Sequence, residues 1–210
     1  MKIFMLNLTL KYRVNWTILL HKGKKVSYMK LEKMKKLISA ALFSAIICVA
    51  TYIVQIPMPA TGGYVNLGDC FVLTAGMMLG AGYGALAAGL GSALADMLAG
   101  YMQYAPATFV IKALMAIAAF YIFGALKKAF GEKYNIVSKI VAAVSAEAIM
   151  VMGYFGYEAV ILGYGVAAAG SILGNAIQGA VGAAAAIALV TALEKASSKS
   201  KTLSSFFKAG

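Results

Sequence analysis

Residues 37–55 read LISAALFSAIICVATYIVQ, an apolar run with no Asp, Glu, Lys or Arg. It is preceded by Lys30, Lys33, Lys35 and Lys36 and stopped by Pro57 and Pro59. As a helix, a run of this length covers roughly 28 Å, close to the hydrocarbon thickness of a bilayer. The basic prelude holds the start of such a span on the cytoplasmic side. Residues 37–55 are therefore read as a membrane span.

Five further apolar segments come after it, at about Leu67–Leu79, Tyr83–Leu98, Pro106–Leu126, Ile140–Tyr157 and Val166–Leu193. The second is short for a full crossing and fits a tilted or partly inserted helix. Thr61-Gly62-Gly63 lengthens the loop after the first span, and Gly80-Ala81-Gly82 makes a tight turn. Pro106 suits the first turn of the fourth span, and a polar loop occupies Lys127–Lys139. The reading is an all-α membrane protein, a bundle of six transmembrane helices with both termini cytoplasmic. Composition agrees: 62% of residues are hydrophobic and 12% charged, and the mean hydropathy is +0.83. Soluble domains carry about twice that share of charge.

The net charge of +12 is concentrated at the ends, with ten of the 19 Lys and Arg at or before Lys36 and four at or after Lys195. Basic ends around an apolar body face anionic lipid, which argues against a nucleic-acid partner. Lys127, Lys128, Lys133 and Lys139 fall on the same side as the termini. The opposite loops, near residues 56–66, 101–105 and 158–165, have no Lys or Arg but carry Tyr64, Tyr101, Tyr104, Tyr157 and Tyr164. These tyrosines read as an aromatic belt at the outer interface of a bacterial-type plasma membrane.

Residues 1–28 differ in character from the apolar body and read as a doubtful extension. Met29-Lys30-Leu31-Glu32 looks like a natural start, with Lys22-Gly23-Lys24-Lys25 upstream as the trace of a purine-rich ribosome-binding site. The membrane domain is then 29–194, with a basic cytoplasmic tail at 195–210.

Several chemistries are excluded. His21, the one histidine, lies in the extension, and Cys48 and Cys70 have neither disulfide nor metal-ligand spacing. No phosphate-binding loop of the Gly-x-x-x-x-Gly-Lys-Ser/Thr kind exists, so the chain does not itself hydrolyse ATP in that way. No catalytic residue, metal site or cofactor is expected.

What remains is a set of polar groups inside the apolar body. Outside the 127–139 loop, only Asp69, Asp96, Lys112, Glu147 and Glu158 are charged between Leu37 and Leu193. A charge at mid-bilayer costs roughly 2.5–3.5 kcal/mol even on lenient scales, so such groups pair or line a wet cavity. Asp69, Asp96, Lys112, Asn175 and Gln178 all fall in the outer half of the bundle, with Glu147 nearer the middle. One reading is a Lys112–Asp96 ion pair that ties two helices. The other is an outward-facing pocket for a small ligand. Small residues pack the helices: Gly76, Gly80 and Gly84 through the second turn, and Gly170, Gly174 and Gly182 along the sixth. Ala41 and Ala45 share a face of the first span, suited to packing or to docking a partner helix.

Three ordered blocks carry a family resemblance: PMPATGGYVNLGD at 57–69, GLGSALAD at 89–96 and YAPATFVIK at 104–112. They resemble the substrate-binding S components of energy-coupling factor (ECF) transporters. The resemblance implies a six-helix bundle that takes a vitamin or related micronutrient from outside. It also implies partnership with a membrane coupling subunit and two ATPase subunits, and toppling in the membrane to release cargo inward. Ala41 and Ala45 match the small residues that dock the coupling subunit in this family. The loop from about Pro57 to Asn66 matches the segment that closes over the ligand. The candidate binding residues are then Tyr64, Asn66, Asp69, Asp96, Tyr101, Tyr104, Lys112, Glu147, Asn175 and Gln178. Riboflavin-specific members carry a tyrosine- and aspartate-rich stretch where this chain has Asn66-Leu67-Gly68-Asp69. The favoured cargo is a compact heteroaromatic such as pyridoxine or hydroxymethylpyrimidine, stacked on Tyr101 or Tyr104, with a queuosine-type deazapurine as another candidate. A stand-alone secondary carrier or channel is the rival reading, although no inverted repeat of broken helices supports it.

Overall fold

The computed structural model describes residues 33–199. The chain divides into two units, residues 1–37 and 38–210. Of the first, residues 33–37 are described and are helical; the bundle belongs to the second. The extension at 1–28, the start near Met29 and the tail from residue 200 onward lie outside the described residues.

Among the described residues, six α-helices make up most of the body: α1 (Lys33–Ile53), α2 (Asp69–Leu79), α3 (Ala81–Leu98), α4 (Ala105–Phe130), α5 (Asn135–Gly156) and α6 (Ile172–Lys199). Helices α1 and α4, and α5 and α6 with their flanking turns, are long and apolar enough to cross a membrane. Helix α2, at 11 residues, is shorter, as its sequence suggested. In α3, Gly82, Gly84, Gly89, Gly91 and Asp96 dilute the hydropathy of an 18-residue helix.

Two expectations need correction. The polar loop at Lys127–Lys139 shrinks to a short connection, because α4 runs on to Phe130 and α5 begins at Asn135. Gly131, at φ 72°, breaks α4, and Lys127 and Lys128 in its last turn complement the carbonyl end of the helix. Lys139 is a buried helical residue whose ammonium reaches Glu194 at 2.6 Å and Thr191 at 2.9 Å on α6. The loop after α1 is also more ordered than its prolines implied. It forms an antiparallel hairpin of β1 (Ile56–Met58) and β2 (Gly63–Val65), with Pro57 opposite Tyr64. Pro57 is tolerable in β1 because a two-stranded hairpin has only edges, and Pro59 lies in the turn. Gly62, at φ 64°, closes the turn with its N–H on the Met58 carbonyl at 3.0 Å.

The helices approach closely where side chains are absent. A Cβ on Gly76 would sit 2.5 Å from the Ala116 carbonyl oxygen, so α2 meets α4 backbone to backbone. A Cβ on Gly182 would lie 2.8 Å from Cβ of Asp69, so α6 admits the start of α2. Gly91 of α3 faces Ile47 of α1 in the same manner. The middle of the bundle is filled by Leu73, Met115, Ala116, Ala143, Ala146 and Met150, all fully buried. This apolar plug separates a polar end, under the hairpin, from a lysine-rich end.

Candidate functional site

The polar end is built on the starts of α2, α4 and α6 and the ends of α3 and α5, with the hairpin above them. Its foundation is Asp69. The Lys112 ammonium of α4 donates to Asp69 Oδ1 and forms an ion pair with it, both side chains being essentially sealed from solvent. Gln178 Nε2 of α6 donates to Asp69 Oδ2 at 2.6 Å. Three helices are therefore tied at one carboxylate. The Gln178 side-chain oxygen then accepts the Asn66 backbone N–H at 2.7 Å, and Asn66 Oδ1 accepts the Gly68 N–H at 2.9 Å. This chain of bonds connects the strand end to the helices below.

The Lys112–Asp96 pair expected from depth alone does not form; Lys112 is committed to Asp69. Asp96 instead accepts a 2.6 Å hydrogen bond from the Tyr64 hydroxyl on β2. Its second oxygen, Oδ2, is buried and makes no close hydrogen bond among the described residues, with Thr108 beside the carboxyl group. Burial and the Asp96 carboxylate push the Tyr64 phenol far above its usual range, so it stays a proton donor. Tyr104, just before α4, donates to the Thr61 carbonyl oxygen at 2.8 Å and lies 3.2 Å from Glu158 Oε1. Its phenol is likewise raised, by burial first and Glu158 second. Glu158 also accepts from the Ser171 hydroxyl, which binds the turn after α5 to the turn before α6. Gly170 and Gly174 seat the hairpin, since a Cβ on either would collide with Ala60 or Met58.

Between these groups lies a cavity of about 20 Å³, roughly the room one water needs. Of the ten candidate residues, Tyr64, Asn66, Asp96, Tyr104, Asn175 and Gln178 line it. The others lie outside the lining. Asp69 and Lys112 form the tie beneath, and Tyr101 packs its ring on Tyr64 at 4.6 Å between centroids. Glu147 is buried deeper, against Gly179 and Gly182, with both carboxylate oxygens unpaired among the described residues. The expected tyrosine belt is also revised: Tyr64 and Tyr104 are buried in the site, and Tyr164 stays exposed. Met58, Gly63, Thr108, Tyr154 and Glu158 complete the lining and were not among the sequence candidates. Two of them carried a readable signal. Glu158 is a carboxylate in an otherwise uncharged segment, and Thr108 stands one helical turn before Lys112. Tyr154 accepts or donates a 3.0 Å bond with Thr108 and presents its ring 5.6 Å from the Lys112 ammonium.

The arrangement is suited to holding a small polar molecule. A carboxylate oxygen of Asp96 and the Asn175 amide nitrogen are both buried without hydrogen-bond partners among the described residues, and both belong to residues lining the cavity. The Tyr104 and Tyr154 rings stand 6.4 Å apart at its side. Unpaired buried polar groups are costly unless a ligand or water completes them.

Residues 31–195 match the family model described as "ECF-type riboflavin transporter, S component". The chain belongs to this S component family. An uncharacterized protein from Pyrococcus woesei, from a gap 3′ region, is 35% identical over 123 residues, which is 59% of this chain and 78% of its own length. The solved S component of a bacterial ECF transporter matches with a TM-score of 0.59 at 23% identity, over 78% of this chain and 97% of that one. At that identity the structural match shows the fold. Members of the family are substrate-binding transporter subunits rather than enzymes, and this one is accordingly a multi-pass membrane protein of vitamin-uptake type.

Proposed function

We propose that this S component captures a compact heteroaromatic micronutrient, of the pyridoxine or hydroxymethylpyrimidine kind, from outside the cell. The cavity under the hairpin carries this reading: Asp96 Oδ2 and Asn175 Nδ2 offer one buried acceptor and one buried donor beside two tyrosine rings. Asp96 and Glu158 favour a ligand with ring N–H, amino or hydroxyl donors, and the aromatic walls favour a flat one. Because the cavity is about 20 Å³, such a ligand enters only when the hairpin lifts off Gly170 and Gly174. Tyr64, Asn66, Asp96, Tyr104, Asn175 and Gln178 contact the cargo in this reading. Asp69, Lys112, Tyr101 and Glu147 support that surface from below and behind.

Six crossings with both termini in the cytoplasm complete the proposal. The support is the separation of ends: the hairpin and residues 101–104 on one side, and Lys127, Lys128, Lys133 and Lys195 on the other. Energy comes from two ATPase subunits through a membrane coupling subunit, which docks on the face bearing Ala41 and Ala45. Both alanines are exposed, as that role requires.

The test is equilibrium binding by calorimetry to the purified chain, with pyridoxine, hydroxymethylpyrimidine, a queuine-type deazapurine and riboflavin. Saturable binding of one of the first two, weakened roughly tenfold or more by Asp96→Asn with an unchanged melting temperature, is the expected result. Tight binding of riboflavin alone would reassign the cargo, and silence from every ligand would remove the capture role. A stand-alone carrier is distinguished by vesicle uptake: it transports without ATPases, whereas this chain by itself should bind and not transport.

A further inference from the structure

The second large concavity lies at the opposite end of the bundle, and nothing in cargo capture uses it. It is a groove of about 1270 Å³ between the end of α2, the second half of α4, the start of α5 and the end of α6. That exceeds the roughly 300–1,000 Å³ of an ordinary small-molecule pocket. Its chemistry is split. Met77, Met78, Phe120 and Phe123 supply apolar wall, and Lys127, Lys128, Lys133, Lys139 and Lys195 also line it.

Two of the five ammonium groups are already neutralised: Lys127 pairs with Glu132 at 3.0 Å and Lys139 with Glu194 at 2.6 Å. Lys128, Lys133 and Lys195 have no carboxylate partner among the described residues and are exposed. The groove therefore keeps a surplus of three positive charges at its rim. Helix-end electrostatics account for Lys128, in the last turn of α4. They do not account for Lys133, which sits in the connection between α4 and α5. Lys195 comes from a third element and converges on the same groove. An apolar cleft that starts among membrane-spanning helices and ends in unpaired lysines is complementary to a molecule with a greasy body and an anionic head.

We propose that this groove binds an anionic phospholipid, with its phosphate among Lys128, Lys133 and Lys195 and its acyl chains against Met77, Phe120 and Phe123. The bound lipid joins α2, α4, α5 and α6 at the end where no hairpin braces them. It also anchors the basic end of the subunit at an anionic leaflet, and the chemistry does not depend on which cargo the other end accepts.

Native mass spectrometry of the full chain in a neutral detergent tests this. Phosphatidylglycerol and phosphatidylcholine of the same acyl length are titrated separately, with inorganic phosphate as a third arm. Phosphatidylglycerol should form a one-to-one adduct at concentrations where phosphatidylcholine does not. Lys128→Gln, Lys133→Gln and Lys195→Gln combined should weaken it on the order of a hundredfold, at about fivefold per lysine. Lys199→Gln, outside the groove lining, should leave it unchanged. Equal affinity for the two lipids, or no effect of the triple substitution, would overturn the proposal. Equal competition by free phosphate would point to an anion site rather than a lipid site. No adduct with either lipid would also overturn it and leave the groove to a partner's helix.

Discussion

Lys112 has three carboxylates in its part of the bundle, Asp69, Asp96 and Glu147, and it pairs with the one on α2. That choice assigns roles. Asp69 becomes a structural tie, held by Lys112 and Gln178, while under the proposed function the second Asp96 oxygen is left for cargo. Removing one member of a buried pair strands the other charge, at about 3–5 kcal/mol. Lys112→Met should thus lower the melting temperature strongly, and Lys112→Met with Asp69→Leu should recover much of the loss. Thermal unfolding of the two variants checks this, and a double variant no better than the single would contradict the pair's structural role. Tyr64 makes a pH prediction. Its folded phenol is raised above the ordinary value near 10, so its contribution is complete below about pH 10 and fades as pH rises through that value and beyond. Hairpin closure, read from ligand dissociation rates, should be level from about pH 6 to 9 and loosen above 10. Tyr64→Phe should blunt that alkaline loss.

At the scale of elements, the proposed function makes the hairpin the part that moves. It is held by side-chain hydrogen bonds from Tyr64 and Tyr104, by the Asn66–Gln178 bond, and by its fit against Gly170 and Gly174. None of these bonds runs through the apolar plug, so the hairpin can lift without disturbing the helix core. A Cβ on Gly170 would lie 2.6 Å from Cβ of Ala60. Gly170→Val should prop the hairpin open and speed cargo release by roughly five- to a hundredfold, the cost of modest overpacking, with helix content and melting nearly unchanged. Stopped-flow release measurements provide the check; unchanged release would mean the hairpin is not the gate. Helices α2 and α3 behave differently. They are joined at one residue, Gly80 with φ 89°, and α2 abuts the α4 backbone at Gly76.

For the whole molecule, function divides by end and by face. One end holds the proposed cargo site, the other the basic groove, and the exposed side of α1 carries Ala41 and Ala45 beside Leu42 and Ile38. Under the proposed docking role, Ala45→Trp should leave cargo affinity of the isolated chain intact and lower ATP-driven uptake at least tenfold in reconstituted vesicles. Wild-type uptake from the tryptophan variant would place the coupling surface elsewhere.

Membrane residence, helix content and the depth of the polar groups were legible from residues 37–55, the end-loaded lysines and the few intramembrane charges, because hydropathy and charge act locally along the chain. Six of the ten candidate positions converge on one cavity for the same reason: they share a depth. Depth leaves the rotational facing of each helix open, and that facing decides which partner a charge meets. Lys112 therefore finds Asp69 rather than Asp96, Tyr101 turns behind Tyr64, and Tyr154, on the facing side of α5, joins the site. The hairpin escaped notice because Pro57 and Pro59 oppose strand formation locally. Contacts from Gly170 in the turn before α6, and from Gly174 and Gln178 on α6, hold it nonetheless, and such long-range packing becomes available only after the helices have assembled.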